Sequence, residues 1–141
     1  MAVEQIFRDD PNVAVMQDRS GMLRIIIGSV STVILQTRLP SLTLDPNEQY
    51  TVLSAVDKIA ITADIYAQDR GLPFGLAPSV MDHLVSGPIP GAPHLPKLMQ
   101  NAAVDEALDS VVRTFKGIVT YGICKQPDGK SLFQFGYTYG L

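Results

Sequence analysis

The spacing of apolar positions along this chain changes several times, and each change marks an element. From residue 101 to 140 the sequence NAAVDEALDSVVRTFKGIVTYGICKQPDGKSLFQFGYTYG reads as helix, strand, turn, strand. Val104, Ala107, Leu108, Val111, Val112 and Phe115 recur at helical intervals and form one apolar face. Asp105 and Glu106 in the first turn and Arg113 and Lys116 in the last complement the helix dipole, and Gly117 predicts the helix end. Beyond it the period falls to two. Residues 118–124 and 131–139 are expected strands, joined by the turn Gln126-Pro127-Asp128-Gly129. In the last strand Phe133, Phe135, Tyr137 and Tyr139 share one face, and Leu132, Gln134, Gly136 and Thr138 share the other.

Upstream, residues 47–69 carry a second helical stripe, Val52, Val56, Ile59, Ala63 and Tyr66, widened by Leu53 and Ala60. Asp57, Lys58, Asp64 and Gln68 are expected to face away. Asp45 and Pro46 supply the start, Gly71 the stop and Pro73 a barrier to continuation. Before this helix, residues 13–27 read as two strands around Asp18-Arg19-Ser20-Gly21, with Ile25–Ile27 a β-branched run suited to cover on both faces. Residues 32–44 read as a further β segment alternating at Val33, Leu35 and Thr37. Pro40 interrupts it and predicts an edge or a bulge, because proline donates nothing to a ladder.

Residues 73–98 break both periods. They hold six of the chain's ten prolines, which favours extended backbone and excludes a continuous helix. A short strand or helical turn near Ser79–Leu84 and an extended, exposed loop over 87–96 are expected. The order predicts an α+β fold: two helices on one face of a small mixed sheet, in a βαββαβ-like order with an extra N-terminal β-hairpin. At 141 residues one domain is expected, with an N-terminal β segment over 1–41 and the βαββαβ unit over 42–141.

Composition narrows the function more than it names it. A formal net charge of −3, with eleven basic residues scattered along the chain, argues against nucleic acid, which requires clustered cations. The greasiest run, residues 22–36, contains Arg24 and Gly28 and is short for a membrane span. The first twelve residues carry acids where a secretory signal needs an apolar core. The single cysteine, Cys124, cannot form an internal disulfide and is expected as a small buried hydrophobe.

Catalytic chemistry has little to work with. No nucleophile elbow, phosphate loop or dinucleotide fingerprint occurs, and no cofactor is implied. His83 and His94, with Asp82, are the only candidates for a small hydrolase or lyase site under the proline-rich loop. Their spacing fixes no metal geometry, and two loop histidines on the surface account for them.

Two features point to binding instead. The loop segment GPIPGAPHLP, with Ile89 and Pro90 at its centre, is a stiff connector or a docking segment. On the last strand Phe133 and Phe135 are expected in the core, whereas Tyr137 and Tyr139 either cover the helices or project toward a partner. Because a small open sheet has two edges, the strand around Pro40 and the C-terminal strand are the candidates.

The pattern Val104-Asp105-Glu106-Ala107-Leu108, Val111-Val112, Gly117 and a closing hairpin resembles the second half of the short N-terminal domain shared by secretins and TonB-dependent receptors. The stretch from Leu42 through the helix to Gly71-Leu72 is similar to its first half. The resemblance covers about residues 42–141. It implies a periplasmic, non-enzymatic module that docks protein partners of a bacterial envelope secretion or uptake assembly. A structural subunit that clasps further copies of itself is the remaining alternative.

Overall fold

The computed structural model describes residues 6, 8–11, 13–17, 23–27, 33–44, 52–78, 93 and 95–139. They fall in two compact units, Met1–Thr32 and Val33–Leu141. The first contains the expected hairpin: β1 (Val13–Gln17) pairs antiparallel with β2 (Leu23–Ile27), Val15 opposite Ile25. Its turn at Asp18–Gly21 lies outside the described residues. Ile25 is 41% exposed, so the double cover expected for the isoleucine run does not hold at that position.

The second unit runs α1 (Val33–Gln36), β3 (Arg38–Thr43), α2 (Val52–Arg70), β4 (Phe74–Leu76), β5 (Leu98–Ala103), α3 (Val104–Phe115), β6 (Gly117–Lys125) and β7 (Ser131–Tyr139). The class is α+β, as the periods predict. The strands divide into two sets. β3 and β5 form an antiparallel pair, and a mixed sheet is ordered β4-β7-β6, with β7 parallel to β4 and antiparallel to β6.

Residues 33–36 are a helical turn rather than the start of a strand. A strand would bury alternate positions, Val33 and Leu35. Instead the neighbours Ile34 and Leu35 are both buried and Val33 is exposed. The Thr37 hydroxyl donates to the Val33 carbonyl at 2.7 Å and the Thr37 N–H to the Ile34 carbonyl at 3.2 Å, closing the turn.

In α2 the buried positions are Val52, Ala55, Val56, Ile59, Ala60, Ala63 and Ala67, a stripe made mostly of small side chains. Leu53 is exposed and Tyr66 only half-buried. The expected cap at Asp45-Pro46 lies outside the described residues. The C-terminus is a Schellman motif: Gly71 takes φ +63°, the Leu72 N–H donates to the Ala67 carbonyl at 2.9 Å and the Gly71 N–H to Gln68 at 3.3 Å. Asp64 does not face away. Its half-buried carboxylate accepts the Leu76 N–H at 2.9 Å and the Gln68 amide at 2.8 Å, tying α2 to β4. Gly75 permits this approach, since a Cβ there would stand 3.3 Å from Asp64 Oδ1.

Helix α3 starts at Val104, and Asn101–Ala103 belong to β5. Ala103 has no side-chain acceptor, so only half of a capping box exists: Glu106 Oε2 accepts the Ala103 N–H at 3.0 Å. Val104, Ala107, Leu108 and Val111 are buried, whereas Val112 and Phe115 at the end of the predicted face are half-buried. Val104, Ala107, Leu108 and Val111 join Ile34, Leu39, Leu42, Leu44, Phe74, Leu95, Phe133 and the α2 stripe in one apolar cluster, against which Phe115 packs. Leu95 corrects the expectation of an exposed loop over 87–96: it is buried, while its described neighbours Pro93 and Pro96 are exposed.

Candidate functional site

The β6–β7 ribbon is built around a well-specified hairpin. The Gly129 N–H donates to the Gln126 carbonyl at 3.0 Å, the Gln126 N–H to Lys130 at 2.7 Å, and the Lys130 N–H to Asp128 Oδ1 at 2.9 Å. Pro127 sets the turn and Gly129 takes φ +87°. From that turn nine residue pairs run without interruption, from Lys125 opposite Ser131 to Gly117 opposite Tyr139.

The hydrogen bonds assign each backbone group a direction. The Ser131 N–H donates to Pro73 at 2.9 Å and the Ala77 N–H to Phe133 at 2.7 Å, so the odd-numbered residues of β7 turn their backbone toward β4. Its even-numbered residues therefore bond to β6, as the narrow Gln126–Lys130 pair also requires. On β6 the even residues face β7. The odd residues Val119, Tyr121 and Ile123 aim N–H and C=O at the outer edge, and their side chains pack on the core.

Among the described residues no strand lies on that outer side of β6. The C-terminal strand was one of the two candidate edges: over Ser131–Phe133 β7 is flanked by β4 and β6, and over Gln134–Tyr139 the described residues place only β6 beside it. The pairing with β4 comes from a segment more than fifty residues away, and no local period reports it.

Tyr137 points inward. Its hydroxyl donates to the Phe115 carbonyl at 3.0 Å, and its ring covers Gly117 so closely that a Cβ there would lie 2.2 Å from Tyr137 Cζ. Gly117 is thus required for this approach and not for ending α3. The helix ends at Lys116, which takes φ +60° and donates its N–H to Val112 at 2.9 Å. Of Tyr139 only the backbone is described, opposite Gly117. Phe133 is fully buried, edge-on to Phe74 at 6.0 Å and tilted against Phe135 at 5.0 Å. Phe135 is half-buried against the cluster, so both phenylalanines serve the core as expected.

On the outer face of the sheet Ile118 is 58% exposed, with Thr120, Gln134 and Thr138 also exposed. Cys124 is exposed, not the buried hydrophobe expected, because it falls on the even, outward face of β6.

The other candidate edge, β3, is protected. Pro40 is exposed on it, and the Arg38 guanidinium donates to the Asn101 carbonyl of β5 at 2.8 Å while lying 3.6 Å from Glu106. His83, His94, Asp82, Ile89 and Pro90 lie outside the described residues. Among the described residues no cluster of His, Cys, Asp and Glu could hold a metal ion, and no helix is long and apolar enough to cross a membrane. Compared with protein-family models, curated proteins and solved structures, the chain matches none.

Proposed function

We propose that this chain is a non-enzymatic protein-interaction module that binds along a sheet edge, and that the edge is β6. One observation carries the reading: nine residues of fully registered strand present a row of outward backbone groups with no described strand beside them. Native edges are ordinarily blunted by proline, charge, bulges or brevity. Residues 117–124 contain no proline and no charge. An incoming strand would bond to the outward N–H and C=O groups of Val119 and Ile123, and Ile118 would give it apolar contact on the outer face. The resemblance of the α3 segment to the envelope-receptor domain supports a periplasmic setting and a partner from an envelope assembly. With the Tyr137 hydroxyl engaged inside the unit, the contact is placed on β6 rather than on that ring.

The test is a capture experiment from bacterial envelope extract with the wild-type chain and an Ile118→Lys/Thr120→Lys variant. Both positions are exposed, so the fold is retained while the edge gains charge. The variant is expected to lose the proteins that the wild type recovers. Recovery of the same proteins by both, or of none by either, overturns the reading.

A further inference from the structure

We infer that the outer face of α2 docks α2 of a second copy of this chain, laid antiparallel so that Lys58 of each copy meets Asp69 of the other. The inference goes beyond the edge-binding reading and uses no residue of β6.

The distribution of side-chain size along α2 is the first support. Its four alanines, Ala55, Ala60, Ala63 and Ala67, are all buried, whereas Leu53, Ile61 and Ile65 are 39%, 47% and 53% exposed. A surface helix ordinarily turns its large aliphatic side chains toward the core and its polar ones to water. α2 fills its inner stripe largely with small residues and sends three large aliphatics outward. Ile61 and Ile65 are one turn apart and stand side by side. Val33, Leu98 and Ile118, the other exposed large apolar residues described in the second unit, are on three separate elements, α1, β5 and β6.

Charge names the occupant. Lys58 and Asp69 are both exposed, and neither forms an ion pair with a described residue. At about 100° per residue, Lys58, Ile61, Ile65 and Asp69 fall within a sector of about 80° of the helix surface. Along the axis the row therefore runs cation, isoleucine, isoleucine, anion. Turned end for end, such a row is complementary to itself. A two-fold axis between residues 63 and 64 sets Lys58 beside Asp69 of the second copy at one end and Asp69 beside Lys58 at the other. Between these pairs Ile61 and Ile65 of one copy pack against Ile65 and Ile61 of the other, with helix axes about 8–10 Å apart.

Other occupants match this row less well. A parallel copy brings Lys58 to Lys58 and Asp69 to Asp69. A surface of one sign, such as an anionic membrane, meets one favourable end and one unfavourable end. Asp69 also stands in the last turn of α2, where the helix dipole disfavours an acid, and the antiparallel copy brings a lysine to it.

The test is a charge exchange in the full chain, read by sedimentation equilibrium. Wild type is expected to shift with concentration from 15.3 kDa toward twice that mass. Lys58→Glu sets acid against acid at both ends, and Asp69→Lys sets lysine against lysine. Each variant alone is expected to weaken the dimer by about tenfold. Mixed one to one, the two variants restore both pairs, and a dimer holding one of each is expected. Ile61→Gln/Ile65→Gln is expected to be monomeric with a cooperative melt retained, since both positions are exposed. A mixture that associates no better than its components overturns the antiparallel pairing. A wild type that is monomeric throughout overturns self-association. So does a dimer that survives the α2 variants and is lost in Ile118→Lys/Thr120→Lys, because that dimer is built on β6.

Discussion

Two antiparallel strand pairs flank the helices of the second unit, and they solve the same problem differently. In β6–β7 all nine pairs are formed, and Val119, Tyr121, Ile123, Phe133, Phe135 and Tyr137 turn to the core while Ile118, Thr120, Cys124, Gln134 and Thr138 are exposed. In β3–β5 the ladder lapses where Pro40 stands opposite Asn101, between the Leu39–Ala102 and Ser41–Gln100 pairs. No residue is inserted, so the register is kept, yet the buried set shifts phase: Leu39, then Leu42 and Leu44. The paired irregularities let one short strand deliver leucines from both parities to a single core. The cost is a backbone that pairs poorly with newcomers, and Arg38 adds charge at the same place. Among the described residues the regular ribbon has no strand on the outer side of β6, while the irregular one gives its regularity up to packing. Regularity and openness to a partner go together here because both depend on unbroken backbone alternation.

The comparison can be broken most severely at Phe133. This ring is fully buried between Phe74 and Phe135, and Phe133→Ala is expected to cost about 3–5 kcal/mol in urea melts. Gln134→Ala, one residue along on the exposed face, should stay within about 0.5 kcal/mol. A loss under 1 kcal/mol at Phe133 would mean that the ribbon is not anchored through this face.

Gly117→Ala comes next. The added methyl displaces the Tyr137 ring from its place over the strand and from the Phe115 carbonyl, for an expected loss of about 1–3 kcal/mol. In a Tyr137→Ala background the same change should be nearly silent, and a double-mutant cycle reads the difference as coupling. Additive losses would show that Gly117 is needed for another reason.

The irregular ribbon is sharpened at Asn101. Its φ of +50° suits asparagine or glycine, so Asn101→Gly should be within about 0.5 kcal/mol of wild type. Asn101→Val should lose about 1–2 kcal/mol, since a β-branched side chain is poorly tolerated there. Equal stability of the two variants would mean that the kink is not fixed by this residue.

The smallest effect is expected at Lys116, which holds the left-handed conformation between α3 and β6 without being glycine. Lys116→Gly should raise stability by up to about 1 kcal/mol in thermal melts, by removing the Cβ strain of that conformation. A loss instead would assign the lysine side chain a contact of its own.

Local sequence carried much of this fold. The heptad-like run from Val104 to Val111, the Gly71 stop, the Pro127-Asp128-Gly129 turn and the alternation of β7 are all visible within windows of ten residues. Their physics is local: one helical turn, one hairpin, one αL residue. The misreadings share a different cause. Val33–Gln36 reads equally well as strand or helical turn over so short a run, and burial of Ile34 and Leu35 against the core settled it. Asp64 lies on the predicted polar side of α2, yet β4 brings the Leu76 N–H to it. Gly117 resembles a helix stop, and its role depends on a ring twenty residues further on.

The candidate site divides in the same way. That β6 is a strand, neutral and without proline, is written in its residues. How much of each C-terminal strand is covered is not, because that depends on β4 reaching across to Ser131–Phe133 of β7. Backbone hydrogen bonding within a turn or helix is fixed by neighbours in sequence. Pairing between distant strands is fixed by which apolar faces can be buried together, and that is a property of the whole unit. The sequence by itself therefore determined the elements and their faces; the tertiary structure decided the order of the strands, and with it which described strand lies beside which.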